Sequence, residues 1–381
     1  MKIGITGQSG FIGSHLYNYL RLGNEFTQIH FNDSFFQNDE LLNQFVKQCD
    51  VIIHLAGVNR CNDENELYNT NINLVKKLIK ALEVENVTPY LIFASSIQEK
   101  LNNAYGKSKS DSCKLFGEWA QNRKAAFSAL VIPNIYGPFG KPHYNSFIAT
   151  FCYKLTHNEI PVINEDNHVS LIYIHNLCQY IIDKIDQYKV SKSLIVEKIE
   201  VSAGFEKKVS EILTLLETFK NEYFEQGIIP NLNDANEINL FNTFCCYIDH
   251  ENYFPRKLNA SVDNRGIFVE TIKTAIGGQI SFSTTKPGIT RGEHFHTRKI
   301  ERFIVVKGKA RIQIRRLNTD HVINLYLDGN EPSYVDIPIW FTHNITNIGN
   351  EDLYTQFWIN EFYNPEDSDT YFEKVANNIN S

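Results

Sequence analysis

The first half of the chain alternates short apolar runs with stretches of helical spacing. Residues 3–6 are apolar, 13–22 repeat apolar positions every three to four residues, and 51–55 are apolar again. Across 71–82 the apolar positions 72, 75, 78, 79 and 82 line one face of a helix. Strand signals return at 91–94 and 129–133, separated by a helix signal over 108–123. This alternation predicts right-handed crossovers and a parallel sheet covered on both faces. From about residue 250 the period changes. Runs at 267–273, 279–284, 302–306, 310–315, 333–337 and 353–358 are β-rich and separated by Gly, Pro and Asn. They predict an all-β barrel or sandwich. The expected boundary lies within 245–260, dividing the chain into 1–250 and 251–381.

Candidate chemistry begins at the first turn. Thr6-Gly7-Gln8-Ser9-Gly10-Phe11-Ile12-Gly13 spells T-G-x-x-G-x-x-G between a predicted strand and helix. Gly7 permits a tight turn, Gly10 lets backbone approach a pyrophosphate, and Gly13 lets helix and strand pack closely. The helix N-terminus offers free N–H groups to phosphate. Thr6, Gly7, Gly10, Phe11, Ile12 and Gly13 are therefore candidate dinucleotide contacts. The glycine spacing resembles that of the short-chain dehydrogenase/reductase superfamily, which implies a Tyr-x-x-x-Lys pair. Tyr105 and Lys109 supply it, one helical turn apart, downstream of Ser95-Ser96. The resemblance implies that the Lys109 charge lowers the phenol pKa and holds the nicotinamide ribose. Tyr105 then exchanges a proton with the substrate oxygen, which Ser96 orients.

Other segments resemble the extended, nucleotide-sugar branch of that superfamily. Residues 50–57, Asp-Val-Ile-Ile-His-Leu-Ala-Gly, resemble its fourth-strand motif and make Leu55, Ala56 and Gly57 candidate cofactor contacts. Asn71 falls at its structural asparagine, and Asn134-Ile135-Tyr136-Gly137-Pro138 resembles its substrate-bordering loop. Val131-Ile132 stand where an arginine is frequent, and His175-Asn176 where an aspartate is usual. An acid after the second strand would bind a ribose 2′-hydroxyl, and an Arg a 2′-phosphate. Residues 29–33 hold no Arg and Asp33 comes late for that role, so the sequence leaves NADPH and NADH both open.

In the second half, Gly288, His294, His296, Glu301 and Gly308 match the first cupin motif, G-x5-H-x-H-x4-E-x6-G. His343 and Asn347 match the end of the second, whose P-x-G is changed to Pro338-Ile339-Trp340. His294 and His296 would share one strand face, with Glu301 and His343 on neighbouring strands. Three imidazoles and a carboxylate suit zinc or another borderline divalent ion. Residues 263–270 resemble the D-x-R-G-x-F-x-E opening of sugar-nucleotide 3,5-epimerases, themselves cupins. In those enzymes the histidine matching His294 of Arg291-Gly292-Glu293-His294 is the base. A ligated nitrogen has no free lone pair, so His294 is either ligand or base. The complete set of four favours the ligand.

Composition then narrows the class. The 381 residues are 43% hydrophobic and 21% charged, enough for two cored domains. A net charge of -7 and a pI of about 6.0 provide no basic field for nucleic acid or an anionic membrane. No run approaches the roughly 20 apolar residues of a membrane span. The first residues lead directly into a strand and glycine turn, unlike a signal peptide, and the seven cysteines are odd in number and mostly scattered. A reduced, cytoplasmic protein is expected.

The order of these motif sets, with the segments 54–60 and 144–154, resembles the CapF family of bifunctional capsular polysaccharide enzymes over nearly the full chain. The resemblance implies an α/β Rossmann-like, doubly wound parallel sheet of the extended short-chain type plus an all-β cupin barrel. It implies C3 epimerisation of a UDP-2-acetamido-2,6-dideoxy-4-hexulose by the cupin, then NADPH-dependent reduction at C4. The product would be UDP-N-acetyl-6-deoxy-L-talosamine, a precursor of N-acetyl-L-fucosamine. Asn59, Arg60, Asn134, Asn145, Ser146 and Arg291 would contact the UDP-sugar, and pairing of cupins would give a homodimer. The C4 ketone makes the C3 proton removable and reduction destroys it, so epimerisation must come first. Two other readings are a 4-keto-sugar reductase with a structural cupin and a dinucleotide-sensing regulator. Tyr105 and Lys109 argue against the regulator.

Overall fold

Six strands assemble into one parallel sheet in the order Thr27–Ile29, Lys2–Thr6, Val51–His54, Tyr90–Ser96, Phe127–Ile132 and Val196–Glu200. The computed structural model describes residues 1–23, 25–264 and 266–376. Val51–His54 and Phe127–Ile132 are buried at every residue, which is why they read as unbroken apolar runs. Lys2–Thr6 has Thr27–Ile29 on one side and Val51–His54 on the other, so strand order reverses there. In open parallel sheets, ligands bind at the carboxyl ends of the strands beside such a reversal.

Helix starts follow caps that the apolar period does not reveal. The helix expected over 71–82 runs Glu64–Val84, because the Asp63 carboxylate accepts from the Asn65 and Glu66 amides at 2.8 and 3.3 Å. The helix expected over 108–123 begins at Ala104, where Asn103 Oδ1 accepts from Gly106 N at 2.7 Å. That cap places Tyr105 in the first turn.

The chain forms two compact units: 1–147 with 165–209, and 148–164 with 210–381. A single cut near 250 does not describe this division. Residues 210–250 pack with the β-rich region through buried polar ties as well as apolar contacts. Tyr223 donates to Asp336 Oδ2 at 2.7 Å, Arg302 forks onto the same carboxylate, and Arg302 also donates to Gly227 O at 2.7 Å. Phe219, Phe241 and Phe244 are buried beside them.

The second unit carries two five-stranded antiparallel sheets. One orders Arg256–Lys257, Ser333–Ile337, Glu301–Lys307, Leu353–Ile359 and Gln279–Thr285. The other orders Val322–Asp328, Lys309–Arg316, Phe341–Asn347, Thr290–Phe295 and Tyr371–Phe372. Among the described residues these ladders stay separate, so hydrogen bonding does not close the expected barrel. Ala260–Asp263 pairs antiparallel with Gly266–Val269, which belongs to the 263–270 motif, and Arg265 of that motif lies outside the described residues. All seven cysteines are free thiols, and no described helix is long and apolar enough to cross a membrane.

Candidate active site and metal centre

The glycine turn sits at the carboxyl end of Lys2–Thr6. Gly7 has φ +71 and its N–H-accepting carbonyl takes Gly10 N at 3.0 Å. A Cβ at Gly13 would lie 2.2 Å from that carbonyl oxygen, so only glycine lets the helix approach. Gly10 caps helix Phe11–Leu22 without any side-chain bond, leaving the first amides, those of Phe11 and Ile12 included, to an anion. Loop 55–57 closes the other side: Leu55 N donates to Thr6 O and Ala56 N to Thr6 Oγ1, at 3.1 and 3.4 Å. A Cβ at Gly10 would meet only Gly7 O at 3.2 Å, whereas one at Gly13 would overlap backbone of Gly7 and Gln8 at 2.2–2.9 Å. Gly10→Val is therefore expected to fold and lose dinucleotide binding, and Gly13→Val to lose the fold. Titration with dinucleotide and thermal melting check the pair, and tight binding by folded Gly10→Val would defeat the cradle.

Lys109 reaches loop 55–57 from helix Ala104–Arg123. Its Nζ donates to Ala94 O at 2.8 Å and lies over the rings of Phe93 and Tyr105, 4.9 and 5.7 Å from their centroids. A Cβ at Gly57 would stand 3.3 Å from Asn71 Oδ1 and 3.8 Å from Lys109 Nζ, so loop 55–57 and the lysine meet. Asn71 ties the parts together: it accepts from Val58 N and donates to Val58 O and to Ser108 Oγ, which itself donates to Tyr105 O. Ser96 ends its strand, and its Oγ accepts from Gln98 N at 3.2 Å. Gly106 abuts the same turn, because a Cβ there would lie 2.2 Å from Gln98 O.

The expected depression of the Tyr105 pKa is not present. Burial pushes the phenol up to about 12. The same burial lowers Lys109 from 10.5 to about 8. The Lys109 ammonium faces a carbonyl and ring faces, where it leaves the phenol proton in place. A pH signature follows. Between about 8 and 10.5 the unfolded chain keeps a lysine proton that the folded chain has released. Stability from this group therefore rises with pH across that window. Reduction that needs the ammonium should instead fall as pH rises through about 8, without a drop in melting temperature. A rate that stays flat to pH 10 would remove the ammonium from the reaction.

The substrate candidates divide between two places. Exposed Arg60 donates to Tyr144 O at 3.0 Å, joining its loop to the loop that carries Asn145 and Ser146. Asn59 is exposed on the first of these loops. Asn134 begins strand Asn134–Tyr136, and its Nδ2 donates to Ser170 O at 3.4 Å. Arg291 is engaged elsewhere, donating to Thr285 Oγ1 and Thr284 O, both at 3.0 Å.

In the second unit, His294, His296, Glu301 and His343 converge, with one ligand atom of each within 4.8 Å of all the others. A tetrahedral ion with bonds of about 2.0 Å sets its ligands roughly 3.3 Å apart, within that spread. His294 pairs with His343 across two neighbouring strands, but Glu301 comes from the facing sheet. Glu301 was expected on a neighbouring strand. A bulge between Gly292 and His294, with Glu293 at φ +63, re-aims the histidine. Glu301 Oε2 lies 3.2 Å from His296 Nε2 and 2.9 Å from His343 Nε2, and these three buried atoms have no other polar partner. Buried polar atoms so aligned on one point fit a divalent cation. Burial, with His343 and His296 alongside, pushes His294 down to about 4, keeping its imidazole neutral as a ligand must be. Burial alone would raise the Glu301 carboxyl, but His296 and His343 hold it well below the usual carboxylate range.

Asp369 is a site residue that the sequence pattern does not reveal. Its carbonyl accepts from His296 Nδ1 at 2.5 Å, directing the Nε2 lone pair inward. Its carboxylate accepts from the backbone amides of Thr297, Arg298 and Lys299. The two segments are 73 positions apart, and no spacing rule connects them.

With this geometry in place, comparison with known proteins is specific. The NAD dependent epimerase/dehydratase family matches residues 3–193, and the polysaccharide biosynthesis C-terminal domain matches residues 261–371. A UDP-2-acetamido-2,6-beta-L-arabino-hexul-4-ose reductase of Pseudomonas aeruginosa is 31% identical over 374 residues, 97% of this chain and 98% of that protein. The solved capsular polysaccharide assembling protein CapF of Staphylococcus aureus is 34% identical, with a TM-score of 0.62 over 98% of this chain and 100% of that one. RMD of P. aeruginosa, solved with NADPH, shares the fold at 20% identity and a TM-score of 0.50, over 58% of this chain and 84% of that one. The chain thus belongs to the NAD dependent epimerase/dehydratase family and, as its full-length relatives place it, to the CapF-type capsular polysaccharide biosynthesis proteins.

Proposed function

We propose that this protein is a bifunctional nucleotide-sugar enzyme that epimerises C3 of a UDP-2-acetamido-2,6-dideoxy-4-hexulose and then reduces C4 with a reduced nicotinamide dinucleotide. The product is UDP-N-acetyl-6-deoxy-L-talosamine, an N-acetyl-L-fucosamine precursor for capsular polysaccharide. One observation carries the reading: Lys109, with Tyr105 beside it, meets loop 55–57, which packs on the glycine turn, in a chain whose full-length relative is a hexul-4-ose reductase.

The bound nicotinamide would supply the hydride. Tyr105, protonated throughout the neutral range, gives its proton to the oxygen that becomes the C4 hydroxyl. Ser96 orients that oxygen, and Lys109 holds the nicotinamide ribose beside loop 55–57. Asn59, Arg60, Asn134, Asn145 and Ser146 hold the UDP-sugar, and Arg291 serves the epimerisation side. In this reading the second unit is a cupin, and His294, His296, Glu301 and His343 bind zinc or a similar ion that ties its two sheets together. His294 acts as a ligand, which leaves C3 deprotonation to another group near the site. The enzyme works in the cytoplasm as a homodimer. Hairpin residues Val262, Ile267 and Phe268, exposed by 74%, 57% and 68%, supply apolar surface for pairing.

Full-length protein incubated with the 4-keto sugar in deuterated water, without dinucleotide, should place deuterium at C3. A fragment starting at 251 is unsuitable, because it lacks the helices that pack on the β sheets. His294→Ala should lose metal and exchange together. Metal-loaded wild type that reduces C4 yet shows no C3 exchange would leave a reductase with a structural cupin.

A further inference from the structure

The reductase reading leaves open which dinucleotide is used, and the following inference rests on that reading. NADH and NADPH differ by a phosphate on the adenosine 2′ oxygen, so the choice is made where that ribose lies. The ribose is joined directly to the pyrophosphate, on the side of the second strand.

Asp33 occupies that side. It follows strand Thr27–Ile29 by four residues, which makes it late in sequence. The loop doubles back, however, with Asn32 Oδ1 accepting from Ser34 N at 2.9 Å. The Asp33 carboxylate thereby returns to the glycine turn, where Oδ2 accepts from Ser9 Oγ at 2.9 Å. Ser9 immediately precedes Gly10, the cap whose helix offers free amides to the pyrophosphate. Both Asp33 and Ser9 are exposed. A carboxylate one residue from the pyrophosphate cradle can accept from the ribose diol in place of Ser9.

The segments that form this place carry no cation of their own for a phosphate. No Lys or Arg occurs between Arg21 and Lys47, and the turn itself presents uncharged Gln8 and Ser9. Two lysines reach the 33–39 segment from helix Glu64–Val84, at Phe36 and Asp39, and neither bonds Asp33, whose carboxylate is bonded to Ser9. Lys77 Nζ donates to Phe36 O at 2.6 Å, and Lys80 pairs with Asp39 at 2.6 Å. His30 packs edge-on against Phe35, with centroids 6.0 Å apart.

We infer that the chain selects NADH over NADPH and that Asp33 is the selecting residue. Its carboxylate accepts from the 2′-hydroxyl of NADH and repels the dianionic 2′-phosphate of NADPH, a specificity made by an unfavourable charge pair as well as by a hydrogen bond.

Equilibrium titration of the full-length protein with each dinucleotide, read by nicotinamide fluorescence or calorimetry, tests this without turnover. NADH should bind at least about tenfold more tightly than NADPH at low salt, with the gap narrowing as salt screens the exposed carboxylate. Asp33→Asn keeps an acceptor for Ser9 and removes the charge, so it should shrink the ratio, mainly by tightening NADPH. Asp33→Arg should invert it. Equal or tighter NADPH binding by the wild type overturns the inference, as does an unchanged ratio in Asp33→Asn. Failure of both dinucleotides to bind sinks the reductase reading and the selectivity with it, whereas NADPH-preferring binding sinks the selectivity alone.

Discussion

Replacing Tyr105 with Phe is expected to lower C4 reduction by roughly 10²–10⁴ while leaving dinucleotide affinity within about twofold, the range for loss of a positioned acid. The ring stays, so its packing near Lys109 is kept and only the phenolic proton goes. That proton is firmly held in the resting site, with the pKa near 12. The hydroxyl is therefore a weak acid in the neutral range, and it gives up its proton as negative charge develops on the substrate oxygen. C3 exchange needs no hydride and should persist in Tyr105→Phe. Near-normal dinucleotide oxidation by the variant would remove Tyr105 from the reaction. Loss of exchange along with reduction would instead place both steps at Tyr105.

Stripping the metal should produce the second large effect. About one divalent ion per chain is expected in protein supplied with zinc, and none after His343→Ala with Glu301→Ala. An ion bound by the folded state and not the unfolded one stabilises by about 2.7 kcal/mol when free ion is about 100 times its Kd. The loss should fall on the second unit, because the ligands link its two sheets: His294 and His343 from one, Glu301 from the other. Glu301 Oε2 is buried and faces the buried His296 Nε2 and His343 Nε2 at 3.2 and 2.9 Å, the arrangement an ion would bridge. Hydrogen exchange with and without chelator would show protection lost around 290–347 and retained in the parallel sheet. Identical melting of stripped and loaded protein, or less than about one ion in ten chains after zinc is supplied, would rule out the ligand set.

Several parts of this site were open to reading because their chemistry is local. The turn Gly7–Gly13 needs particular residues within one strand–turn–helix step, so spacing alone announces it. Tyr105 and Lys109 are one helical turn apart, and His294 and His296 sit two apart at the end of a strand, with the periods of helix and sheet fixing their relation. The apolar runs 51–55 and 129–133 likewise read as strands of a parallel sheet, which form as Val51–His54 and Phe127–Ile132, since burial on both faces removes polar alternation. Helix Asp39–Gln48, by contrast, had no expectation of its own. It is short, and its start depends on Asn38 Oδ1 accepting from Glu40 and Leu41 amides.

The amino-acid order by itself determined the glycine turn, the Tyr105–Lys109 pair, the set of His294, His296, Glu301 and His343, and their order along the chain. The tertiary structure decided the relations between residues remote in sequence. It brought Glu301 to the histidines from the facing sheet, set Asp369 behind His296, and returned Asp33 to Ser9. It also joined 210–250 to the β-rich unit through Tyr223, Arg302 and Asp336. It kept Tyr105 protonated where the motif alone implied a lowered pKa. The reason is the same in each case. Spacing rules follow from the backbone period and act over a few residues, whereas burial and the meeting of distant segments exist only once the whole chain has packed.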